Sequence, residues 1–560
     1  MNAPRKLQGS TLDQVSRRDF LRYTASAGAL AAAGPALPGL SAATRVLPTQ
    51  AAQRFEFEEA TIAELQAAME AGRLTSRRLV QAYIDRIEGI DLAGLRLNSV
   101  MEINPDALQI ADRLDRERRV QGPRGPLHGI PVLIKENIGT ADRMETTAGS
   151  FALLGSRPPR DSFMASRLRE AGAVILGKSN LSEWANFRSF QSSSGWSGRA
   201  GQCLNPYVLD HNPCGSSSGS GAAISANLGV ASLGTETDGS IVCPSTANAL
   251  VGIKPTLGLT SRSGVVPLAH SQDVVGPMAR TVADAATVLG TLTGVDPLDP
   301  VTEESQGQAH ADYRQFLDPQ GLQGARVGVW RQGVFGSSPE ADEIAEAAIS
   351  EISRLGATVV DPADIPHADE LGDPEFTVLL YEFKADLNAY LAGLERSKVR
   401  TLQEVIEFNE ENADIEMPFF DQEIFLLAQE KGPLTDPAYL EALSTARRLA
   451  REEGIDTVMD ELELDAIVAP TGSPPWTIDL INGDHFLFGS SSPAAVAGYP
   501  NITVPAGFSH EELPVGMSFM GRAWSEPTLI KLTFAFEQGT KARHAPQFVP
   551  SLGVRDFVRR

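Results

Sequence analysis

From residue 61 the apolar positions recur with helical spacing: Ile62, Leu65 and Met69 share one face, and Gly72 ends the run. Thr61, with Glu64 three positions later, supplies a capping box, so a helix is predicted to start there. A second helix is predicted from Thr75, with Leu79, Val80, Tyr83, Ile84 and Ile87 as its apolar set. Residues 128–134 form a short continuous apolar run that reads as a buried strand, and Lys135 stands at its end, at the rim of the predicted sheet. A helix follows near 161–170, then a strand at 173–176, then a Gly- and Ser-rich tract over 195–221. Further strands are predicted at 327–330, 357–360, 466–468, 502–504 and 515–520. Between them lie amphipathic helices such as 341–355, which places Ile344, Ala348, Ile352 and Leu355 on one face.

This alternation predicts an α/β layered fold, and no fixed-period repeat is visible. The polar, turn-rich segment 297–324 is the strongest break, yet the strands on both sides read as parts of one sheet. Residues 44–560 are therefore expected to form a single domain, with a helical, acidic lobe over 376–450 that could cover a site.

The first 43 residues differ in kind. Ser16-Arg17-Arg18-Asp19-Phe20-Leu21-Arg22 precedes an Ala- and Gly-rich apolar stretch and a small-residue site at Ser41-Ala42-Ala43. That order predicts a twin-arginine export signal and a periplasmic or secreted product. Pro35 and Pro38 and a shortage of leucine make the stretch a poor membrane span, so no stable membrane association is expected. The chain carries 48 Lys plus Arg against 71 Asp plus Glu, a net charge of -23, which argues against nucleic acid as a partner. Its 560 residues suffice for a large core. The three cysteines, Cys203, Cys214 and Cys243, include no CxxC pair and no histidine at ligand spacing. Neither a disulfide framework nor a metal site is expected, and Cys214 and Cys243 read as small packing residues.

Three motifs compete for the chemistry. Gly172 to Ser179 matches the phosphate-loop expression, but its middle residues are small or apolar and strand-like, where a phosphate loop needs exposed amides. Gly215-Ser216-Ser217-Ser218-Gly219 matches a nucleophile elbow with Ser217 as nucleophile, and the histidines that could complete it, His270, His310, His367, His485, His510 and His544, have no persuasive local context. The third pattern is longer: Cys214-Gly215-Ser216-Ser217-Ser218-Gly219-Ser220-Gly221, then Gly234-Thr235-Glu236-Thr237-Asp238-Gly239-Ser240-Ile241, with Gly252-Ile253-Lys254-Pro255-Thr256 beyond.

That third pattern, with Gly129-Ile130-Pro131-Val132-Leu133-Ile134-Lys135 upstream, resembles the amidase signature family over most of the chain. The resemblance implies a large mixed twisted β-sheet covered by α-helices on both faces. It also implies a nucleophile at Ser240, a cis-peptide serine at Ser216 that relays protons, and a base at Lys135. Gly215, Ser217 and Ser218 would support the loop and the substrate, and the backbone N–H groups of Thr237, Asp238, Gly239 and Ser240 would form the oxyanion hole. Chemistry agrees: a serine needs a base, no histidine is placed to serve, and a lysine serves only when burial keeps it neutral. The bland alternatives are that the Gly/Ser loops are linkers and that Lys135 lies on the surface. Trp184 and Trp196 read as core residues that could instead line a pocket.

Leu181 to Arg188, Ser194 to Arg199 and Met520 to Pro527 look like the peptide amidase branch of that family, whose members release ammonia from the C-terminal amide of peptides. The resemblance implies no cofactor, no metal and no obligate protein partner. An amidase of another small amide, a binding protein with a dead site and a glutaminase-type amidotransferase subunit remain as alternatives. Asp238 departs from the Gly-Gly-Ser common at the nucleophile, and could orient the turn or disfavour anionic substrates.

Overall fold

The computed structural model describes residues 55–553, so the export segment lies outside the described residues. Thr61 and Glu64 cap the first helix reciprocally, and the helix runs Ile62–Glu70. Thr75 caps the second, Ser76–Arg86. Each helix turns its predicted apolar set into the core.

Among the described residues thirteen strands follow one another: β1 Val100–Ile103, β2 Pro131–Lys135, β3 Val174–Ser179, β4 Trp196–Ser197, β5 Gly201–Gln202, β6 Ala231–Glu236, β7 Val251–Lys254, β8 Val274–Ala279, β9 Arg326–Val329, β10 Thr358–Val360, β11 Ala466–Pro470, β12 Asn501–Ser509 and β13 Leu513–Met520. Eleven of them form one mixed sheet in the order β1-β3-β2-β6-β8-β7-β12-β13-β11-β9-β10, while β4 and β5 make a separate hairpin. Strands from both sides of 297–324 lie in this sheet, as expected.

Both faces of the sheet are covered. Along β11, Ala466 and Val468 join one hydrophobic core while Ile467 and Ala469 join another, as the alternation of a strand requires. Helices Pro339–Arg354 and Glu526–Thr540 cover the first face, and Pro437–Ala450 with Asp456–Glu461 the second. A third core lies among helices Gly372–Ala392, Leu402–Glu411 and Glu423–Gln429, within the stretch predicted to be helical. No helix among the described residues is long and apolar enough to cross a membrane.

The phosphate-loop match is β3, all six residues of which are buried. Lys178 lies inside the protein and donates to the carbonyl of Ile138 at 2.5 Å and to Thr146 Oγ1 at 3.1 Å. A lysine so engaged is not free to hold a phosphate.

Candidate active site

The parallel strands β2 and β6 end side by side, with Ile134 registered on Leu233, and their ends build the site. Lys135 closes β2 and is fully buried, not at an exposed rim. Its Nζ lies 2.7 Å from Ser216 Oγ, 2.9 Å from Thr235 Oγ1 and 3.2 Å from the Thr235 carbonyl. Burial pulls the Lys135 ammonium down to about 7, against the opposing pull of Asp273 and Glu236. As a neutral amine, Lys135 keeps two N–H groups for Thr235 and turns its lone pair to the Ser216 hydroxyl.

Ser216 enters through a cis bond from Gly215, the geometry that the resemblance implied. A Cβ at Gly215 would stand 2.2 Å from Ser182 Oγ, so only glycine fits there. Helix Ser218–Ser225 starts directly behind the loop. Ser217 is turned away from solvent: its hydroxyl donates to the Thr235 carbonyl at 3.1 Å and accepts from the Thr235 amide at 3.2 Å. Ser218 Oγ pairs with Ser182 Oγ at 3.4 Å and is equally buried. Both serines are bonded within the loop's surroundings and neither lines the cleft, which Gly215 and Ser216 do reach.

Beyond β6 the chain makes a tight turn over residues 237–240, with Gly239 at a φ of +77° that favours glycine. Glu236 closes this turn by accepting from the amides of Ile241 at 2.6 Å and Val242 at 3.0 Å. Thr237 Oγ1 donates to Asp273 Oδ1 at 2.6 Å, while Asp273 Oδ2 accepts from the amides of Leu268 and Ala269. The turn's own amides, those of Thr237, Asp238, Gly239 and Ser240, donate to no protein group among the described residues. All four residues line a cleft of about 690 Å³.

Ser240 faces this cleft, and its hydroxyl has no hydrogen-bond partner among the described residues. A direct bond from Ser216 to Ser240, expected from the sequence, is not formed. The two loops instead meet through their backbones, where the Ser217 amide donates to the Ser240 carbonyl at 3.2 Å. Cys214 and Cys243 correct the sequence reading: they are joined in a disulfide. Their separation of 29 residues gave no spacing motif, because the return of the chain through β6 is what brings them together.

The cleft wall is mostly apolar and aromatic, including Phe187, Phe190, Leu268, Phe376, Leu379 and Phe486. Its charged residues are Asp238 and Asp484, and no lysine, arginine or histidine lines it among the described residues. Asp484 is held by Ser194, Asn212 and Trp476. Asp238 accepts from Ser492 Oγ at 2.6 Å and faces Glu375; burial raises both carboxyls, that of Glu375 well above the usual range. Trp184 and Trp196 lie in the interior, and it is Trp476 that reaches the cleft.

The histidines lie elsewhere. His270, Glu382 and Asp386 are the one group of three whose ligand atoms could meet at a metal among the described residues. Their atoms are already engaged: Asp386 accepts from the His270 amide and ring, and Glu382 from Tyr439 and the Ser271 amide.

Sequence reading missed Thr235, Glu236 and Asp273, which arrange the site, and Asn137, whose Nδ2 donates to Thr235 Oγ1 at 3.0 Å. Glu236 stood within the quoted motif, four residues before Ser240, at the spacing of a residue that closes a turn. Asp273 gave no local signal.

The family model described as Amidase matches residues 78–530. A probable amidase of Arabidopsis thaliana is 45% identical over 503 residues, covering 88% of this chain and 93% of the plant protein. A glutamyl-tRNA(Gln) amidotransferase subunit of Moorella thermoacetica is 34% identical over 505 residues, covering 88% of this chain and 99% of the Moorella protein. The native peptide amidase of Stenotrophomonas maltophilia superposes with a TM-score of 0.85 at 51% identity, covering 88% of this chain and 100% of that one. A family model that spans most of the chain, with relatives and solved structures alike at this level, makes the chain a member of the amidase family and an amide hydrolase.

Proposed function

We propose that this amidase releases ammonia from the C-terminal carboxamide of peptides, with Ser240 as nucleophile, Ser216 as proton relay and Lys135 as base. The observation that carries the proposal is the buried Lys135 Nζ at 2.7 Å from Ser216 Oγ, at the wall of a cleft that Ser240 faces. Lys135, neutral, takes the Ser216 proton while Ser216 takes that of Ser240, and Ser240 Oγ attacks the carbonyl carbon. The developing oxyanion is met by the free amides of the 237–240 turn, each such donor contributing about 3 kcal/mol in comparable sites. The protons return through Ser216 to the leaving nitrogen, the C–N bond breaks, and ammonia departs. Water, activated by the same pair, then attacks the acyl-enzyme and frees the carboxylate. The mechanism asks the Ser240 hydroxyl, which turns about a single torsion, to close the link to Ser216.

The wall supports a neutral peptide end. Free glutamine carries an α-carboxylate that needs a cationic partner, and the cleft offers two carboxyl groups instead. A structure similar to this one is that of a peptide amidase in complex with the competitive inhibitor chymostatin, at 51% identity. The test is ammonia release from a peptide amide, glutamine, a fatty amide and an aryl amide. Turnover of the peptide amide should exceed the others, and glutamine as the best substrate would contradict the assignment. We further propose export by the twin-arginine route to an oxidising compartment, a reading supported by the Cys214 to Cys243 disulfide. Arg17→Lys with Arg18→Lys should then hold the protein in the cytoplasm, read by immunoblot of the cell fractions, and full export of that variant would contradict the route.

A further inference from the structure

We propose that the Cys214 to Cys243 disulfide is a positioning device for the two serines, and that Ser240 reacts at full rate only while the bridge is closed. The proposal rests on the assignment of Ser240 and Ser216 above. Cys214 stands two residues before Ser216, and Cys243 three after Ser240, so the bond ties the relay loop to the nucleophile turn at their outer flanks.

The other ties between the two segments are hydrogen bonds, those of Ser217 Oγ with the Thr235 backbone at 3.1 and 3.2 Å and that from Asn248 Nδ2 to the Pro213 carbonyl at 2.9 Å. The Cys214 amide donates to Asn212 within its own loop, at 2.8 Å, and the Cys243 amide donates to Gly239 within its own turn, at 2.7 Å. Between the two segments the described backbone hydrogen bond is that from Ser217 to Ser240, at 3.2 Å. A single neutral hydrogen bond contributes about 1 kcal/mol and yields readily to displacement, whereas a covalent bridge does not. Because the Ser240 hydroxyl is not tied to Ser216, the spacing of the reacting oxygens is set by the two backbones. A misplacement of about 1 Å at reacting atoms costs up to about 100-fold in rate.

The bridge lies at the site rather than in the core. Its sulfurs pack in a small cluster with Ala247 and Trp476, apart from the large cores around the sheet. Both cysteines line the cleft, within reach of a small reductant. A water-soluble phosphine opens it by attacking one sulfur: the S–S bond breaks, the phosphine supplies two electrons and becomes its oxide with oxygen from water, and two thiols form.

The test follows Ser240 directly. Thiol titration of denatured protein should count one free thiol, Cys203, in the closed form and all three after reduction. Each form is treated with a fluorophosphonate, and labelling of the peptide that contains Ser240 is timed by mass spectrometry. Reduction should slow that labelling and lower kcat by about 10- to 100-fold while KM and the thermal midpoint stay close to those of the closed form, and reoxidation should restore both rates. Cys214→Ser with Cys243→Ser should show the same loss and no response to phosphine. Equal labelling of the open and closed forms, or a loss of kcat only in step with unfolding, would overturn the positioning role. Failure of Ser240 to label in the closed form, with another serine labelled instead, would overturn the nucleophile assignment and the proposal with it.

Discussion

In the proposed mechanism Lys135 decides the pH behaviour of the site. Its ammonium has no lone pair, and its amine, favoured above a pKa of about 7, has one aimed at Ser216. Activity should therefore rise with pH through about 7 and be lost below it, read as the acid limb of kcat/KM. An acid limb near 4, a carboxylate's range, would not fit. Ser240→Ala and Lys135→Ala should each lower kcat by about 10⁴-fold or more at neutral pH. Ser217→Ala removes a buried hydroxyl bonded to β6, so it should cost about 1 to 2 kcal/mol of stability and less than about ten-fold in kcat. The separation of Ser216 from Ser217 came from the resemblance, carried over position by position with Ser240 and Lys135. Thr235 and Asp273 were not legible in the sequence: their roles come from the sheet register and from a loop over residues 262–273, and neither leaves a periodic trace. The disulfide escaped for the same reason, being a contact between segments that only the fold brings together.

Among the elements, short apolar runs bounded by turns announced β2, β3 and the strands from β9 onward. β1 and β4 to β8 did not show. β6, Ala-Ser-Leu-Gly-Thr-Glu, is buried throughout, so it lacks alternation, and it is poor in β-branched residues. β8 carries Pro277 in the middle of the sheet, paired with Leu233, where proline ordinarily argues against a strand. The helix behind the relay loop offers a sharp test. A Cβ at Gly219 would lie 2.3 Å from the Ser99 carbonyl and 2.5 Å from the Asn180 amide, both backbone atoms that yield little. Gly219→Val should lower stability by about 1 to 3 kcal/mol and move the helix that carries the loop, so denaturant midpoint and kcat should fall together. An unchanged midpoint would show that this helix is not packed as described.

At the scale of the whole molecule, the helices over residues 372–450 meet the cleft through Phe376, Leu379 and Ile424. They are fastened to the segment before the relay loop by Arg188, which donates to Glu183 at 2.7 Å and to the carbonyl of Glu416. Arg188 and Glu183 are each 1% exposed in their side chains, so the pair is sealed from water. Arg188→Met would leave Glu183 without its cation beside Glu416, and should cost about 3 to 5 kcal/mol in chemical denaturation. A loss under about 1 kcal/mol would show that the fastening is idle.

The whole mechanism stands on the bond formed at Ser240. With an activated ester of a peptide, for which acylation outruns deacylation, the acid-quenched enzyme should carry the peptide's acyl group on the fragment that contains Ser240. Ser240→Ala should carry none and turn over nothing. An adduct on Ser217 or any other residue, or full turnover by Ser240→Ala, would contradict the mechanism.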